Sequence, residues 1–182
     1  MNKLAIFMAD GCEEIEGLTV VDLLRRAAIP VDMIAIGAET RVVGSHGIAF
    51  EADITADTAD WSSYGGVILP GGMPGTTRLK ESEVVRKTVK DFDAQGKLVA
   101  AICAAPTVLA DCGILTGHRA TCYPGCEAEF SGVEYSADSV VLDGHILTSR
   151  GMGTAIPFGL AIVAYLTDRK TADELSKKIV YS

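Results

Sequence analysis

Cys103 is the residue whose type and position most directly suggest chemistry. It stands at a corner between Leu98–Ile102, which has the composition of a buried strand, and Ala104–Asp111, which has that of a helix with Pro106 in its first turn. At such a corner a nucleophilic side chain and the start of a helix point into one cleft. The sequence therefore predicts a lowered pKa for the Cys103 thiol and an oxyanion donor in the N–H of Ala104. A buried structural cysteine is the alternative.

The turn Pro70-Gly71-Gly72, at the end of the apolar run Gly66–Leu69, predicts a second donor. Two glycines allow the backbone to direct its amides toward a cleft, so we expect the N–H of Gly72 to face the same oxyanion. A plain turn is the alternative. The glycines do not form a phosphate-binding loop, because neither G-x-x-x-x-G-K-[ST] nor G-x-G-x-x-G follows a strand.

Glu13, Glu14 and Glu16 open the first predicted helix. Acidic residues at a helix start normally complement the helix dipole from a solvated face, and we expect this of Glu13 and Glu14. Glu16 lies next to the apolar turn Leu18–Val20, so we expect it to turn inward, where loss of solvent raises a carboxyl pKa. A protonated Glu16 would donate a hydrogen bond to the Cys103 sulfur and move protons.

The other four cysteines are Cys12, Cys112, Cys122 and Cys126. An odd total of five, without the pattern of a signal peptide, favours free thiols over a disulfide framework. Cys122 and Cys126 have a C-x3-C spacing, but only His118 lies near them in sequence, so ordinary buried or half-buried thiols are favoured over a metal pair. The sequence predicts neither a metal nor a cofactor.

Apolar strand-like runs alternate with amphipathic helical segments, which predicts a doubly wound α/β fold: a mainly parallel sheet with helices on both faces. The predicted strands are Lys3–Met8, Val31–Ile36, Gly66–Leu69, Lys97–Ile102, Ala120–Tyr123, Ser139–Leu142 and His145–Thr148. The predicted helices are Glu14–Ala28, Ser82–Gln95, Ala104–Asp111, Thr154–Leu166 and Thr171–Ile179. A small β-hairpin is predicted over Arg41–Ala52. Ligands bind beyond the carboxyl ends of such strands, where Ala9–Glu16, Pro70–Gly75 and Cys103–Pro106 should meet.

Length and charge narrow the classes of function. At 182 residues the chain has room for a single domain, predicted over 1–182. A net charge of −8 argues against nucleic acid and anionic membranes as partners, since both attract clustered Lys and Arg. No apolar stretch reaches the length of a membrane span, and we expect a cytoplasmic protein.

Several motifs along nearly the whole chain resemble the ThiJ/PfpI superfamily, in the branch of the parkinsonism-associated protein deglycase. They are Gly11-x-Glu13-Glu14-x-Glu16, Asp22-Leu23-Leu24-Arg25-Arg26, Leu69-Pro70-Gly71-Gly72, Ala100-Ala101-Ile102-Cys103-Ala104-Ala105-Pro106 and Leu147-Thr148-Ser149-Arg150-Gly151-x-Gly153-Thr154. The cysteine segment together with the Pro-Gly-Gly turn is specific, whereas the acidic segment alone is not. The resemblance implies a flavodoxin-like fold and a homodimer.

The resemblance also implies roles for individual residues. Cys103 matches the oxidisable nucleophile of this family and Glu16 its protonated carboxyl partner. Gly72 and Ala104 match the backbone oxyanion donors. Arg26 and Arg150 match arginines that lie near the dimer interface and help form an anion-binding site.

Two positions depart from the family pattern. Ala104 stands where peptidase-like members carry histidine directly after the nucleophile, so an adjacent Cys-His dyad is impossible and peptidase activity is disfavoured. Tyr123 stands where some members of the deglycase branch have a histidine; tyrosine donates a hydrogen bond but does not titrate near neutral pH. His46 occupies a loop that we expect either to approach the site of a dimer mate or to be solvated.

The leading functional hypothesis is a glutathione-independent glyoxalase or deglycase. It would act on α-oxoaldehydes such as methylglyoxal and glyoxal, or on their adducts, through the Cys103 thiolate and proton transfer by Glu16. The alternative is an oxidative-stress redox sensor or chaperone in which Cys103 becomes a sulfinate. Metabolism of a thiazole precursor of thiamine, a third hypothesis, lacks a phosphate loop or metal-binding pattern to support it.

Overall fold

The chain folds around a seven-stranded sheet in a computed structural model that describes residues 3–181. The strands are β1 (Lys3–Met8), β2 (Val31–Ala35), β3 (Arg41–Val43), β4 (Ala49–Glu51), β5 (Ile54–Thr55), β6 (Tyr64–Leu69), β7 (Leu98–Ile102), β8 (Arg119–Ala120), β9 (Glu134–Tyr135), β10 (Val140–Asp143) and β11 (Ile146–Ser149). The helices are α1 (Glu14–Arg26), α2 (Gly75–Glu81), α3 (Glu83–Ala94), α4 (Pro106–Asp111), α5 (Ala155–Leu166) and α6 (Arg169–Lys178). Short 3-10 turns cover Trp61–Ser63, Cys126–Glu129 and Met152–Thr154.

The main sheet has the strand order β10-β11-β7-β6-β1-β2-β5. All neighbours are parallel except β10 and β11, which form an antiparallel hairpin at one edge. The predicted hairpin of β3 and β4 forms a separate antiparallel pair, and β8 and β9 form a short parallel pair. The predicted doubly wound, flavodoxin-like α/β fold is confirmed.

Side chains of β1 alternate between two hydrophobic clusters, one on each face of the sheet. Leu4, Ile6 and Met8 face a cluster built with α1, α5 and α6, whereas Ala5 and Phe7 face one built with α3 and α4. This alternation follows from the two-residue period of a strand. Both faces of the sheet are therefore covered by helices, as a parallel sheet requires.

The chain runs from β1 outward to β2 and later returns to β6 on the other side of β1. This reversal opens a crevice beyond the carboxyl ends of the strands, where doubly wound proteins bind their ligands. The loops after β1, β6 and β7 converge there: Glu13 N–H donates to Gly71 O (2.9 Å), and a Cβ added to Gly71 would lie 2.6 Å from Cys103 Cβ.

Two sequence predictions about elements were wrong, and helix α2 was missed. The helix after Cys103 begins at Pro106, so residues 103–105 form a turn. The strand predicted at Ala120–Tyr123 ends at Ala120, because the next amides bond elsewhere: Thr121 N–H donates to Thr148 Oγ1 (2.9 Å) and Tyr123 N–H to Cys103 O (2.7 Å).

Helix α5 is less enclosed than its apolar sequence suggested. Phe158, Ile162 and Val163 are buried, but Ile156 and Leu160 are only half-buried. Among the helices of residues 3–181, none combines the length and apolar character needed to cross a bilayer.

Candidate active site

Cys103 occupies the corner immediately after β7 with a positive φ of 65°. The left-handed region is unfavourable for residues other than glycine, and such strain concentrates at functional sites. Two backbone hydrogen bonds hold the corner: Cys103 N–H donates to Ser149 O (3.0 Å), and Cys103 O accepts from Tyr123 N–H (2.7 Å). The half-buried Cys103 side chain lines a cavity at the crevice.

The N–H groups of Gly72 and Ala104 lie close to the Cys103 sulfur and lower the pKa of its thiol. Gly72 has a φ of 87°, which favours glycine, and a Cβ at this position would collide with the backbone of Glu13. The two predicted oxyanion donors are therefore brought together at one sulfur atom.

Glu16 is turned inward and its side chain is fully buried. The N-cap side chain of Glu13 accepts from Glu16 N–H (2.8 Å), which sets the start of α1 so that Glu16 faces the sheet. Glu16 Oε2 accepts a hydrogen bond from Gly71 N–H at 2.8 Å, and within residues 3–181 Oε1 meets no nitrogen or oxygen donor. The Cys103 thiol lies beside this carboxyl group, and each of the two groups shifts the pKa of the other.

Burial raises the pKa of Glu16 to about 7, and the nearby charge of Glu13 acts in the same direction. The hydrogen bonds from Cys103 and from Gly71 N–H oppose this rise. A carboxyl group with this pKa exchanges its proton near neutral pH, as a general acid or base must.

The predicted lowering of the Cys103 pKa was wrong. Burial raises the pKa of Cys103 to about 12, and the charge and hydrogen bond of Glu16 add to the rise more than the two backbone N–H groups offset it. The Glu16 contribution requires an ionised carboxylate, so it disappears when Glu16 holds a proton. The protonation state of Glu16 therefore affects the pKa of Cys103, as expected for two ionisable groups that lie side by side.

Gly71 permits this close approach of thiol and carboxyl group. A Cβ at Gly71 would lie 2.6 Å from Cys103 Cβ and 2.7 Å from Glu16 Oε2. Both distances are below any real Cβ contact, so a side chain at Gly71 would separate the pair.

The cavity next to Cys103 has a volume of about 370 Å³. Gly72, Ala104 and Tyr123 contribute to its wall, as expected from the sequence. Helix α2 and the 3-10 turn after Tyr123 supply most of the rest, with Met73 and Thr107. Sequence reasoning missed the contributions of Thr76, Lys80, Cys126 and Glu129. Thr76 and Lys80 were missed because α2 was not recognised. The C-x3-C spacing of Cys122 and Cys126, which encloses Tyr123, could have indicated that Cys126 lies near the site.

Glu14 is also buried, which contradicts its predicted solvated position. It is 2% exposed and holds the loop after β3: Oε1 accepts from His46 N–H (2.8 Å), and His46 Nδ1 lies 3.1 Å from Oε2. Together with Glu13, these residues are the one cluster of potential metal-ligand atoms, all within 4.8 Å of one another, in the described part of the chain. Hydrogen bonding accounts for the arrangement.

The remaining predicted site residues lie outside the wall of this cavity. Arg26 is exposed and pairs with Asp22 (Nε–Oδ2, 2.6 Å), and His46 is exposed beside Glu14. Arg150 follows β11; its Nη1 donates to Ala137 O at 3.3 Å, while its Nε is buried and unpaired among residues 3–181. A role for any of the three at a partner's site stays a prediction.

The other cysteines differ from Cys103 in their surroundings. Burial raises the pKa of both Cys12 and Cys122 to about 12 and also raises that of Cys112 and of Cys126. All four thiols are free. Cys12 also lies near two backbone groups and the charges of Glu14 and Glu13, but it is fully buried and does not line the Cys103 cavity.

Comparison with known proteins gives consistent matches. Residues 2–165 match the DJ-1/PfpI family. Protein dj-1beta of Drosophila melanogaster is 35% identical over 183 residues, which cover 99% of this chain and 98% of the relative. The glutathione-independent glyoxalase DJR-1.2 of Caenorhabditis elegans is 32% identical, with 98% and 95% covered. Protein DJ-1 homolog B of Arabidopsis thaliana is 34% identical, but the chain spans only 40% of its length.

A solved structure of Toxoplasma gondii DJ-1 in an oxidized form superposes with a TM-score of 0.96 at 32% identity, with both chains fully covered. A DJ-1 superfamily protein from Salmonella typhimurium superposes with a TM-score of 0.95 at 33% identity, also with full coverage of both chains. These similarities extend over the entire fold and include the loops that carry the Cys103 site.

Proposed function

The chain belongs to the DJ-1/PfpI family, and from this premise we propose that it is a cysteine-dependent glyoxalase or deglycase. Its substrates would be α-oxoaldehydes such as methylglyoxal and glyoxal, or their adducts with thiols and amines. The observation that carries the proposal is the Cys103–Glu16 pair, in which a buried carboxyl group with a pKa of about 7 lies beside a thiol at the wall of a cavity. The glyoxalase name of the Caenorhabditis elegans relative supports the choice of substrate.

The first step is addition of the thiol to the aldehyde. The Cys103 proton moves to Glu16, and the thiolate attacks the aldehyde carbon to form a carbon–sulfur bond. The N–H groups of Gly72 and Ala104, which lie close to the sulfur in the free protein, would stabilise the developing alkoxide. Glu16 then gives its proton to the alkoxide, which yields a hemithioacetal and leaves Glu16 ionised.

The second stage moves hydrogen between the two adjacent carbons. Ionised Glu16 removes the proton from the carbon bonded to sulfur and returns it to the neighbouring carbon. The hydroxyl proton passes from the first oxygen to the former ketone oxygen, and together the two transfers convert the hemithioacetal into a 2-hydroxy thioester. Water then cleaves the thioester, releases the hydroxy acid and restores the Cys103 thiol. For methylglyoxal the sum is addition of one water to give lactate, with no external oxidant or reductant.

Turnover of methylglyoxal without glutathione tests this proposal. The purified protein should form lactate, and Cys103→Ala should lower kcat/KM at least about a thousandfold because the covalent step is lost. Cys112→Ala is the matched control, since Cys112 lies at the end of α4 and outside the described wall of the cavity. Full activity in Cys103→Ala would refute the mechanism.

A second candidate function, an oxidative-stress redox sensor, is favoured by the polar surroundings of the same sulfur. Two peroxide molecules would convert the Cys103 thiolate into a sulfinate and release two waters. Glu16 and the N–H groups of Gly72 and Ala104 would stabilise the sulfinate oxygens. Selective gain of two oxygen atoms at Cys103 after mild peroxide, without turnover of glyoxals, would favour the sensor over the enzyme.

We also propose the homodimer that the family resemblance implies. The positions of Arg26 and His46, exposed and away from the Cys103 cavity, fit residues that act across an interface. Sedimentation equilibrium tests the dimer, and a monomer at micromolar concentration would exclude these residues from the site.

A further inference from the structure

Helix α2 contributes the only cationic side chain among the described residues that line the Cys103 cavity. This residue, Lys80, pairs with Glu129 across the cavity wall, with 2.5 Å between Nζ and Oε2. The Lys80 and Glu129 side chains are 28% and 54% exposed. Partly exposed ion pairs are weak because water stabilises the two separated charges almost as well as they stabilise each other. A competing anion can therefore displace Glu129 from Lys80 at a small cost in free energy.

Thr76 lies one helical turn before Lys80, on the same side of α2, and also lines the cavity. The residue is 4% exposed, and within residues 3–181 its hydroxyl oxygen has no hydrogen-bond partner. A buried polar group without a partner is destabilising. An unpaired hydroxyl beside an exchangeable ammonium group indicates that this face of α2 is built to receive a polar ligand.

We propose that this face of α2 binds a carboxylate on the substrate. Lys80 exchanges Glu129 for the substrate carboxylate, and the Thr76 hydroxyl donates a hydrogen bond to it, which holds the substrate in the cavity beside Cys103. The preferred substrates are then α-oxoaldehyde adducts of carboxylate-bearing thiols and amines, such as amino-acid adducts. The assignment of this substrate class rests on the proposed glyoxalase or deglycase function. The preference of the cavity for anions does not depend on that function.

Alkylation of Cys103 measures that preference without any turnover. Iodoacetate and iodoacetamide are similar in size and share a leaving group, but only iodoacetate carries a carboxylate. The extent of alkylation at Cys103 is followed by peptide mass. The ratio of the two second-order rate constants then measures the preference of the cavity for an anionic reagent over a neutral one. Peptide resolution is needed because Cys126 lines the same cavity.

Lys80→Met should lower the iodoacetate/iodoacetamide ratio about three- to tenfold, the effect of one charge acting through a partly hydrated gap of several ångströms. Lys80→Arg should keep the ratio, Thr76→Val should lower it and Glu129→Gln should raise it, because the competing carboxylate is then absent. The iodoacetamide rate is the internal control for damage to the fold, since a distorted cavity would change both rates.

Lys87→Met is the matched control for loss of a positive charge, because Lys87 lies on α3, 77% exposed and paired with Asp91. A ratio that falls no further in Lys80→Met than in Lys87→Met would overturn the proposal, as would a ratio unaffected by Glu129→Gln.

A second measurement separates this inference from the proposed function. The methylglyoxal adduct of N-acetylcysteine carries a carboxylate, and that of N-acetylcysteine amide does not. We expect higher kcat/KM for the first, with the difference reduced in Lys80→Met. If both adducts are turned over and Lys80→Met does not change their relative kcat/KM, only the anion preference is rejected. If Cys103 keeps its preference for iodoacetate but neither adduct is turned over, only the proposed reaction is rejected.

Discussion

Glu14 and Glu16 are two carboxyl groups in the first turn of α1, both buried, yet their surroundings give them opposite properties. Burial alone would raise the pKa of Glu14, but the N–H groups of Glu14, His46 and Ile48 and the His46 imidazole together lower it. Burial raises the pKa of Glu16 to about 7, because its hydrogen bonds from the Cys103 thiol and one backbone N–H do not compensate.

The difference shows that the number of hydrogen-bond donors, more than burial, decides what a buried carboxyl group does. Glu14 is saturated with donors, so it stays ionised and holds the loop at residues 44–48 in place. Glu16 keeps one oxygen without a nitrogen or oxygen donor in the described chain and can exchange a proton with Cys103. One carboxylate is structural, and the other is suited to chemistry.

Of the substitutions that test this difference between Glu14 and Glu16, Glu16→Gln should have the largest effect on activity. It removes the proton acceptor, so we expect kcat/KM for methylglyoxal to fall about 10²- to 10⁴-fold. The pH profile of Cys103 alkylation by iodoacetamide should also lose its step near pH 7, where Glu16 titrates. Retention of that step in Glu16→Gln would show that another group controls the thiol.

Folding stability should report the raised Glu16 pKa. The folded state holds this proton more tightly than the unfolded chain, so the stabilisation is complete below about pH 4.5 and is lost as pH rises through about 7. Relative to Glu16→Gln, the unfolding free energy of the wild type should fall by up to about 3 kcal/mol over this range. Urea denaturation at a series of pH values measures this difference. The raised Glu16 pKa would be contradicted if the difference in unfolding free energy between the two proteins were the same at every pH.

Glu14→Gln should lower the stability of the fold and leave the pH dependence of Cys103 alkylation unchanged. Replacing a saturated carboxylate with an amide leaves backbone donors poorly paired, so we expect a loss of about 1–3 kcal/mol in unfolding free energy at pH 7. The step near pH 7 in the alkylation profile should persist, because Glu16 is untouched. A variant that loses the step but keeps its stability would reverse the roles assigned to the two residues.

His46→Ala should give the smallest effect. The substitution removes the imidazole beside Glu14 but keeps the backbone N–H that also binds the carboxylate, and the ring is largely exposed. We expect thermal denaturation to show a loss of about 0.5–1 kcal/mol. A loss as large as that of Glu14→Gln would mean that the imidazole, and not the backbone, stabilises the loop.

Several parts of the site followed from local pattern. The corner at Cys103 after a buried strand, the glycine pair at residues 71–72 and the inward turn of Glu16 all lie within a few residues of strong apolar runs. Periodicity reports such positions because it records which side of an element faces the core.

Other parts depended on contacts between distant segments. Glu14 is buried by a loop more than thirty residues away in sequence, with which it forms hydrogen bonds. The raised pKa of Cys103 has a similar origin, since the Glu16 carboxyl group comes from a different element. Helix α2 was missed because its Gly75-Thr76-Thr77 start is a poor helix former that tertiary contacts stabilise.

The amino-acid sequence by itself determined the alternating elements, the doubly wound sheet and the identity of the cysteine and carboxyl group at its crevice. Only the tertiary structure decided that these two groups shift each other's pKa, that Glu14 is structural and that α2 places Lys80 in the cavity wall. The physical reason is that side-chain period and turn chemistry act over a few neighbouring residues. Desolvation, charge and hydrogen-bond donors act through space, so they depend on segments that only the complete fold brings together.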